Sequence, residues 1–225
     1  MNLKCNIINK LKSRSKGKKT LKQIENKILS TLYLSEITGE NPIEKILQNN
    51  MISEKQISEK MEKLTQDNLV NQDEMTLTEI GRESLRVVLA GGVFDIIHPG
   101  HISTLNAAKA LGDVLVVVVA TDNTAVKMKK RRPIHSQEQR QELVNSLSVV
   151  DLCLIGQEND IFKTVNLVKP QIIALGYDQV HQEQFITEGC KKIKLDAKVA
   201  RLQSPIPESS SSKIEKEYGE SIHGI

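Results

Sequence analysis

The hydrophobic positions of this chain follow two different patterns, which change near residue 86. Before that point, apolar residues recur at the three-to-four-residue spacing of one helix face. The first such series is Leu21, Ile24, Ile28, Leu29 and Leu32. After residue 86, β-branched and aliphatic residues come in runs rather than in alternation with polar residues, at 86–90, 114–120, 149–155 and 171–175. Strands buried on both faces have this composition, so we predict a parallel sheet covered by helices.

Segments of helical pattern separate these runs. They cover residues 99–111, 136–146, 160–168 and about 182–190. Strands that alternate with helices of crossover length indicate an α/β fold, a Rossmann-like, doubly wound parallel sheet. Such sheets bind ligands at the carboxyl ends of their strands.

The region before the sheet reads as a smaller domain. Its pattern predicts three helices, a short hairpin and a last helix, with capping signals at Asn41, Ser53 and Thr78. This order resembles a winged helix-turn-helix. We therefore divide the chain into a basic flexible tail (1–20), a winged-helix-like domain (21–85) and an α/β domain (86–225).

Charge is distributed unevenly along the chain. Residues 1–20 hold seven basic side chains and no acidic one, whereas residues 21–85 hold seven basic and twelve acidic side chains. A helix that reads DNA should be basic where it meets phosphates. Lys55, Lys60 and Lys63 on the third predicted helix each neighbour a glutamate. Dimerisation or docking is therefore favoured over DNA binding for this domain, and a homodimer is one expectation.

Composition indicates the cellular environment of the protein. The three cysteines are far apart, which is typical of a reducing, cytoplasmic environment rather than a disulfide framework. No apolar run approaches the roughly 20 residues that cross a bilayer, so we expect no membrane partner.

The segment from Gly91 to His101 carries the most distinctive chemistry. Its glycines are suited to a tight turn that brings the backbone close to a ligand. Pro99 fits the first position of a helix, which places His98 just before the helix and His101 in its first turn. Two imidazoles would then share a helix N-terminus, which is an anion-binding position.

Residues 92–101, Gly-Val-Phe-Asp-Ile-Ile-His-Pro-Gly-His, resemble the G-x-F-D-x-x-H-x-G-H signature of the cytidylyltransferase-like, HIGH-motif nucleotidyltransferases. The resemblance implies that His98 and His101 are catalytic. It also implies that Val93, Phe94 and Asp95 help to bind the nucleotide.

Basic residues follow the second strand of the sheet, five of them within 127–132. The family carries a phosphate-binding lysine in this loop, and Lys127 is our first choice, with Lys129 or Lys130 as alternatives. Ser136 and Gln139 predict a capped helix, whose Arg140 matches an arginine that supports the family's phosphate site.

Two later segments complete the implied site. Gly176-Tyr177-Asp178-Gln179 resembles a segment of archaeal FAD synthases and implies that Gly176 and Asp178 bind the nucleotide. Ser210, Ser211 and Ser212 lead into a predicted helix whose N-terminus would hold a phosphate. The arginine that usually precedes this element is absent, and Arg201 is the candidate to replace it.

The resemblance implies transfer of a nucleoside monophosphate from a nucleotide to a phosphorylated acceptor, with release of pyrophosphate. Mg²⁺ would arrive with the nucleotide, since no carboxylate cluster predicts a separate metal site. ATP with FMN is the favoured pair, although few aromatic residues are available to stack on a flavin: Phe94, Tyr177 and Phe185. Two alternatives stay open: CTP with glycerol 3-phosphate or another phospho-alcohol, and a winged-helix regulator whose α/β domain senses a nucleotide.

Overall fold

A computed structural model of the chain describes residues 23–49, 53–158, 160–176, 179, 182–203, 214 and 217. The chain divides into two compact units, Met1–Ser84 and Leu85–Ile225. The predicted basic tail lies outside the described residues. Within the described part of the chain, no helix is both long and apolar enough to span a membrane.

The first unit has the elements that the sequence predicts. Its bounds are α1 (Gln23–Thr38), α2 (Pro42–Asn49), α3 (Glu54–Gln66), β1 (Val70–Asn71), β2 (Thr76–Leu77) and α4 (Glu79–Ser84). The two short strands pair antiparallel, as in a hairpin. Ser53 and Gln56 form the expected capping box at the start of α3.

A buried carboxylate determines where the lysines of α3 point. Glu25 on α1 is 3% exposed, and its Oε1 lies 2.6 Å from Nζ of Lys63 and 3.5 Å from Nζ of Lys60. Both ammonium groups therefore neutralise a charge inside the unit. This pairing adds to the sequence argument against α3 as a DNA-reading helix.

The second unit contains the predicted α/β fold. Its bounds are β3 (Val87–Gly92), α5 (Pro99–Lys109), β4 (Val114–Val119), α6 (Asp122–Lys129), α7 (Gln137–Asn145), β5 (Leu152–Ile155), α8 (Ile161–Val168), β6 (Ile172–Leu175), α9 (Gln182–Lys192) and β7 (Lys198–Arg201). All five strands run parallel in the order β5-β4-β3-β6-β7. The Rossmann-like sheet is confirmed.

Two elements of this unit differ from the prediction. The segment read as a lysine-bearing loop forms helix α6, which Thr121 caps by accepting a hydrogen bond from the Thr124 amide. Strand β7 was not predicted, because its four residues begin and end with exposed cations and pair on one side only. It lengthens the sheet beyond β6.

The strand order places a crevice beside β3. The chain proceeds from β3 through β4 to β5 on one side, and from β6 to β7 on the other. The connections that leave β3 and β6 therefore diverge, and ligands bind at such a switch point. The histidine segment follows β3 and the Gly176 segment follows β6, so both lie at this crevice.

Candidate nucleotide site

The turn after β3 is made by a phenylalanine rather than by the glycines. Gly91 and Gly92 belong to the strand and pair in register with Val118 and Val119, so the prediction of a glycine turn was wrong. Phe94 instead adopts a left-handed backbone conformation with φ of 52°. Bulky residues rarely do so, and such strain is concentrated at functional sites.

Gly92 is needed for the packing of that turn. A Cβ added at Gly92 would lie 2.9 Å from the ring of Phe94, which is 6% exposed and held in the core. The same ring packs against His101, with centroids 5.1 Å apart and planes at 50°. Gly92 and Phe94 thereby fix the position of one histidine.

The two histidines stack at the entrance to α5. His98 is the N-cap residue, with φ of −137° and ψ of 168°, and Pro99 occupies the first helical position as predicted. The rings lie 3.9 Å apart between centroids, at an angle of 30°. The Nδ1 atoms of His98 and His101 are buried and have no hydrogen-bond partner among the described residues. Each ring therefore has one unsatisfied nitrogen, although the His101 ring also has a hydrogen bond with the backbone of Ile96.

The environment keeps both imidazoles neutral near neutral pH. Burial lowers the pKa of His98, and the charge of Lys129 adds to this effect. Burial also lowers the pKa of His101, to about 4, with further contributions from His98 and Lys129. A neutral imidazole has one N–H group, which can donate a hydrogen bond to a phosphoryl oxygen.

The pKa shifts of the two histidines also bear on which lysine lies near them. The positive charge of Lys129 lowers the pKa of both histidines, so Lys129 lies within electrostatic range of them. On an α-helix, residues two apart project about 200° apart, so Lys127 lies on nearly the opposite side of α6. We therefore prefer Lys129, one of the two alternatives, to Lys127 as the phosphate-binding lysine, and this choice stays a prediction. Lys130 ends the helix in a left-handed conformation.

Asp95 is buried and holds the segment that follows α6. Its carboxylate accepts hydrogen bonds from Arg131 Nη1 at 2.8 Å, from the Ile134 amide at 2.7 Å and from the His135 amide at 3.3 Å. The Asp95 backbone oxygen also lies 3.0 Å from His135 Nδ1. Asp95 thus ties the histidine segment to residues 131–135, a role that the sequence pattern does not reveal.

Arg140 has a different role from the predicted one. Its side chain is fully buried, so its guanidinium does not reach a nucleotide. It donates to the Val93 oxygen at 2.7 Å, to the His135 oxygen at 3.1 Å and to Asp122 Oδ1 at 2.6 Å. Arg140 therefore clamps together the segments that carry the histidines and the lysines. The side chain of Val93 is also buried, which leaves only its backbone near the crevice.

The segment after β6 is only partly described. The Gly176 amide donates to Gln179 Oε1 at 2.8 Å, and the Gln179 amide donates to the Gly176 oxygen at 3.1 Å. These two bonds join Gly176 to Gln179 at the crevice. Asp178, Ser210, Ser211 and Ser212 lie outside the described residues. Arg201 is exposed at the carboxyl end of β7, the same edge of the sheet.

Neither a metal cluster nor a reactive thiol is found in the described part of the chain. No three His, Cys, Asp or Glu side chains there come together to hold a metal ion. Cys153 and Cys190 are buried free thiols, and burial raises the pKa of Cys153 to about 12. The polar groups that the described residues place at the crevice are the histidines and the N-terminus of α5.

Comparisons with known proteins find relatives over slightly more than half of this chain. The FAD synthase of Picrophilus torridus is 46% identical over 125 residues, covering 56% of this chain and 89% of that protein. The FAD synthase of Methanosarcina barkeri is 46% identical over 132 residues, covering 58% of this chain and 94% of that protein. The crystal structure of the lipopolysaccharide core biosynthesis protein from Thermoplasma volcanium is 44% identical, with a TM-score of 0.51, and covers 53% of this chain and 98% of that chain.

The family model described as cytidylyltransferase-like matches residues 89–217, which include the strand, the histidine segment, the lysine helix and the clamp of Arg140. It does not extend to the first unit. The chain belongs to the cytidylyltransferase-like family of nucleotidyltransferases.

Proposed function

We propose that this protein is an FMN adenylyltransferase, which transfers AMP from ATP to FMN and releases pyrophosphate. The observation that most strongly supports this reaction is the stacked pair of neutral histidines at the N-terminus of α5, at the switch point of the sheet. The acceptor follows from relatives that are 43–48% identical and are named FAD synthase.

The reaction is an in-line displacement. A phosphate oxygen of FMN attacks the α-phosphorus of ATP, and the bond from that phosphorus to the bridging oxygen breaks. The electron pair of that bond leaves with pyrophosphate. An FMN phosphate is already ionised at neutral pH, so the reaction needs no strong general base. Positioning and charge stabilisation can then supply the catalysis.

The described residues are suited to those two tasks. His98 and His101 would donate hydrogen bonds to the α-phosphoryl oxygens, beside the N-terminus of α5 and its partial positive charge. Lys129 would place its positive charge on the phosphates as they gain charge. Phe94, Asp95 and Arg140 would hold these groups in place without touching the nucleotide themselves.

A divalent cation fits this arrangement when the nucleotide carries it. The buried carboxylate of Asp95 is already engaged by Arg131 and two amides, and the described residues offer no dense acidic cluster. We propose Mg²⁺ bound by nucleotide phosphate oxygens, where it would offset the charge of the leaving pyrophosphate. His98, His101 and Lys129 would bind the remaining phosphate oxygens.

A second candidate is a cytidylyltransferase that uses CTP and a phospho-alcohol. It is favoured by one observation: the Thermoplasma volcanium protein, 44% identical, is described as acting in lipopolysaccharide core biosynthesis. The histidine site would carry out the same displacement with either acceptor.

The test is a matrix of two nucleotides and several acceptors. Purified protein is incubated with ATP or CTP and with FMN, glycerol 3-phosphate or no acceptor, and both pyrophosphate and the joined product are measured. We expect pyrophosphate and FAD in equal amounts from ATP and FMN alone. A CTP-dependent product with glycerol 3-phosphate would replace this proposal with the second candidate. Nucleotide binding without turnover in any combination would favour a sensor.

For the first unit we propose docking or dimerisation rather than DNA binding. This proposal is supported by its acidic balance and by the engagement of Lys60 and Lys63 with Glu25. Light scattering of the full chain should give twice the monomer mass, or the monomer mass if the unit docks on another protein. Salt-sensitive retention of duplex DNA by the full chain would contradict the proposal.

A further inference from the structure

Two aromatic side chains meet where α8 and α9 begin. Phe162 is the second residue of α8, and Phe185 is the fourth residue of α9. Their ring centroids lie 5.5 Å apart with planes at 55°. Because α8 and α9 follow the carboxyl ends of β5 and β6, this pair lies towards the ligand-binding edge of the sheet.

The two rings are packed very differently. Phe162 lies tightly on α9, since a Cβ added at Gly189 would come within 1.7 Å of its ring. Phe185 is one helical turn before Gly189 and is 56% exposed. Phe162 therefore packs against one side of the Phe185 ring, and the rest of that ring is exposed to solvent.

The direction of Phe185 is set by the helix. Side chains on an α-helix tilt towards its N-terminus, so the Phe185 ring covers the first turn of α9. That turn follows the loop of Gly176 and Gln179, which comes directly after β6. β6 pairs with β3, the strand that leads to the histidines.

Phe185 is also the one strongly exposed aromatic side chain among the described residues. Tyr33 is buried in the first unit, Phe94 is buried against His101, and Phe162 is partly covered by Gly189. Large exposed apolar side chains that cluster at a ligand-binding edge mark contact surfaces. An exposed phenyl ring that packs against a second ring is best suited to stack with a planar heteroaromatic ligand.

We infer that Phe185, supported by Phe162, forms the surface on which the isoalloxazine ring of FMN stacks. This inference rests on the proposed function. The ribityl chain separates the isoalloxazine ring from the phosphate, so the ring lies beside the histidine site and not within it. Phe185 therefore determines acceptor specificity and takes no part in nucleotide binding.

The absence of tryptophan from the chain permits a direct test. A tryptophan in contact with a flavin quenches flavin fluorescence strongly by electron transfer, whereas phenylalanine does not. FMN is titrated with the full-length variants F185W and L167W, without nucleotide. Leu167 is 54% exposed but lies at the opposite end of α8, away from the carboxyl edge. We expect F185W to quench bound FMN well beyond wild type and L167W to match wild type.

Steady-state kinetics give the second readout. F185A should raise the KM for FMN about tenfold, a typical effect of losing one aromatic stacking contact, while the KM for ATP and kcat change less than about twofold. F185L keeps apolar area without the π-face and should fall between F185A and wild type. L167A should match wild type in all three constants.

Equal quenching in F185W and L167W, or an unchanged FMN constant in F185A, would overturn the assignment. A parallel rise of both KM values with a fall in kcat would also overturn it, because that pattern indicates a structural role. If FMN binds with strong quenching by F185W but no FAD forms, the proposed function fails while the flavin surface stands.

Discussion

Replacing Arg140 by methionine tests whether the clamp holds the site together. Methionine is a shorter, unbranched apolar side chain with no hydrogen-bond donor, so the change removes the charge and all three bonds. The Val93 and His135 oxygens would lose their donor, as would the carboxylate of Asp122. Asp122 is 46% exposed and can be rehydrated, whereas the Val93 oxygen accepts a buried bond.

The expected loss follows from these contacts. An acceptor left unsatisfied in the interior costs about 1–3 kcal/mol, so the two carbonyl oxygens together predict about 2–6 kcal/mol. In a domain of this size each kcal/mol lowers the melting temperature by roughly 2–4 °C, so Arg140→Met should melt about 10 °C below wild type. The melting temperature of Arg140→Lys should lie between those of Arg140→Met and wild type, because one ammonium group cannot reach three acceptors in different directions.

Thermal melts of the full chain, followed by circular dichroism, give the measurement. Arg132→Met is the matched control, since Arg132 is exposed on the same basic segment and should melt within about 1 °C of wild type. A melting temperature of Arg140→Met within 2 °C of wild type would refute the clamp.

Three further predictions concern the site itself. In a steady-state assay, Lys129→Ala should lower kcat/KM for ATP at least about tenfold, whereas Lys127→Ala should lower it less than about twofold. The reverse order would contradict the orientation of α6. Gly92→Ala should cost about 1–3 kcal/mol in a denaturant titration, because its methyl meets the phenyl ring, whereas Gly91→Ala has only a backbone oxygen at 3.6 Å and should be tolerated. Between pH 6.5 and about 4, His101 binds fewer protons in the folded protein than in the unfolded chain. The free energy of unfolding should therefore fall by up to about 3 kcal/mol as the pH drops through this window. His101→Gln should lose that pH dependence.

The sheet could be predicted from sequence because buried parallel strands leave a strong signal. Unbroken aliphatic runs mark β3, β4 and β6, and the position of His98 and Pro99 at the start of α5 follows from local capping rules. Strand β7 could not be predicted in the same way. It is a short edge strand, and half-exposed edges have no continuous apolar run.

The sequence motifs point to candidate site residues, but the contacts that several of them make could not be predicted. A motif shows that an arginine belongs at position 140, yet only the fold shows that its guanidinium is buried against Val93, His135 and Asp122. Likewise, the choice between Lys127 and Lys129 depends on the helical phase of α6, in a segment that composition alone reads as a loop. Contacts between residues distant in sequence leave no local pattern.

The central claim is that His98 and His101 stabilise the transferred phosphoryl group. The most direct measurement is kcat for FAD formation from ATP and FMN by His98→Ala and His101→Ala, with nucleotide affinity measured separately. Loss of a donor that acts on developing charge predicts a fall in kcat on the order of a hundredfold or more, at similar nucleotide affinity. Turnover unchanged in both variants would contradict the account.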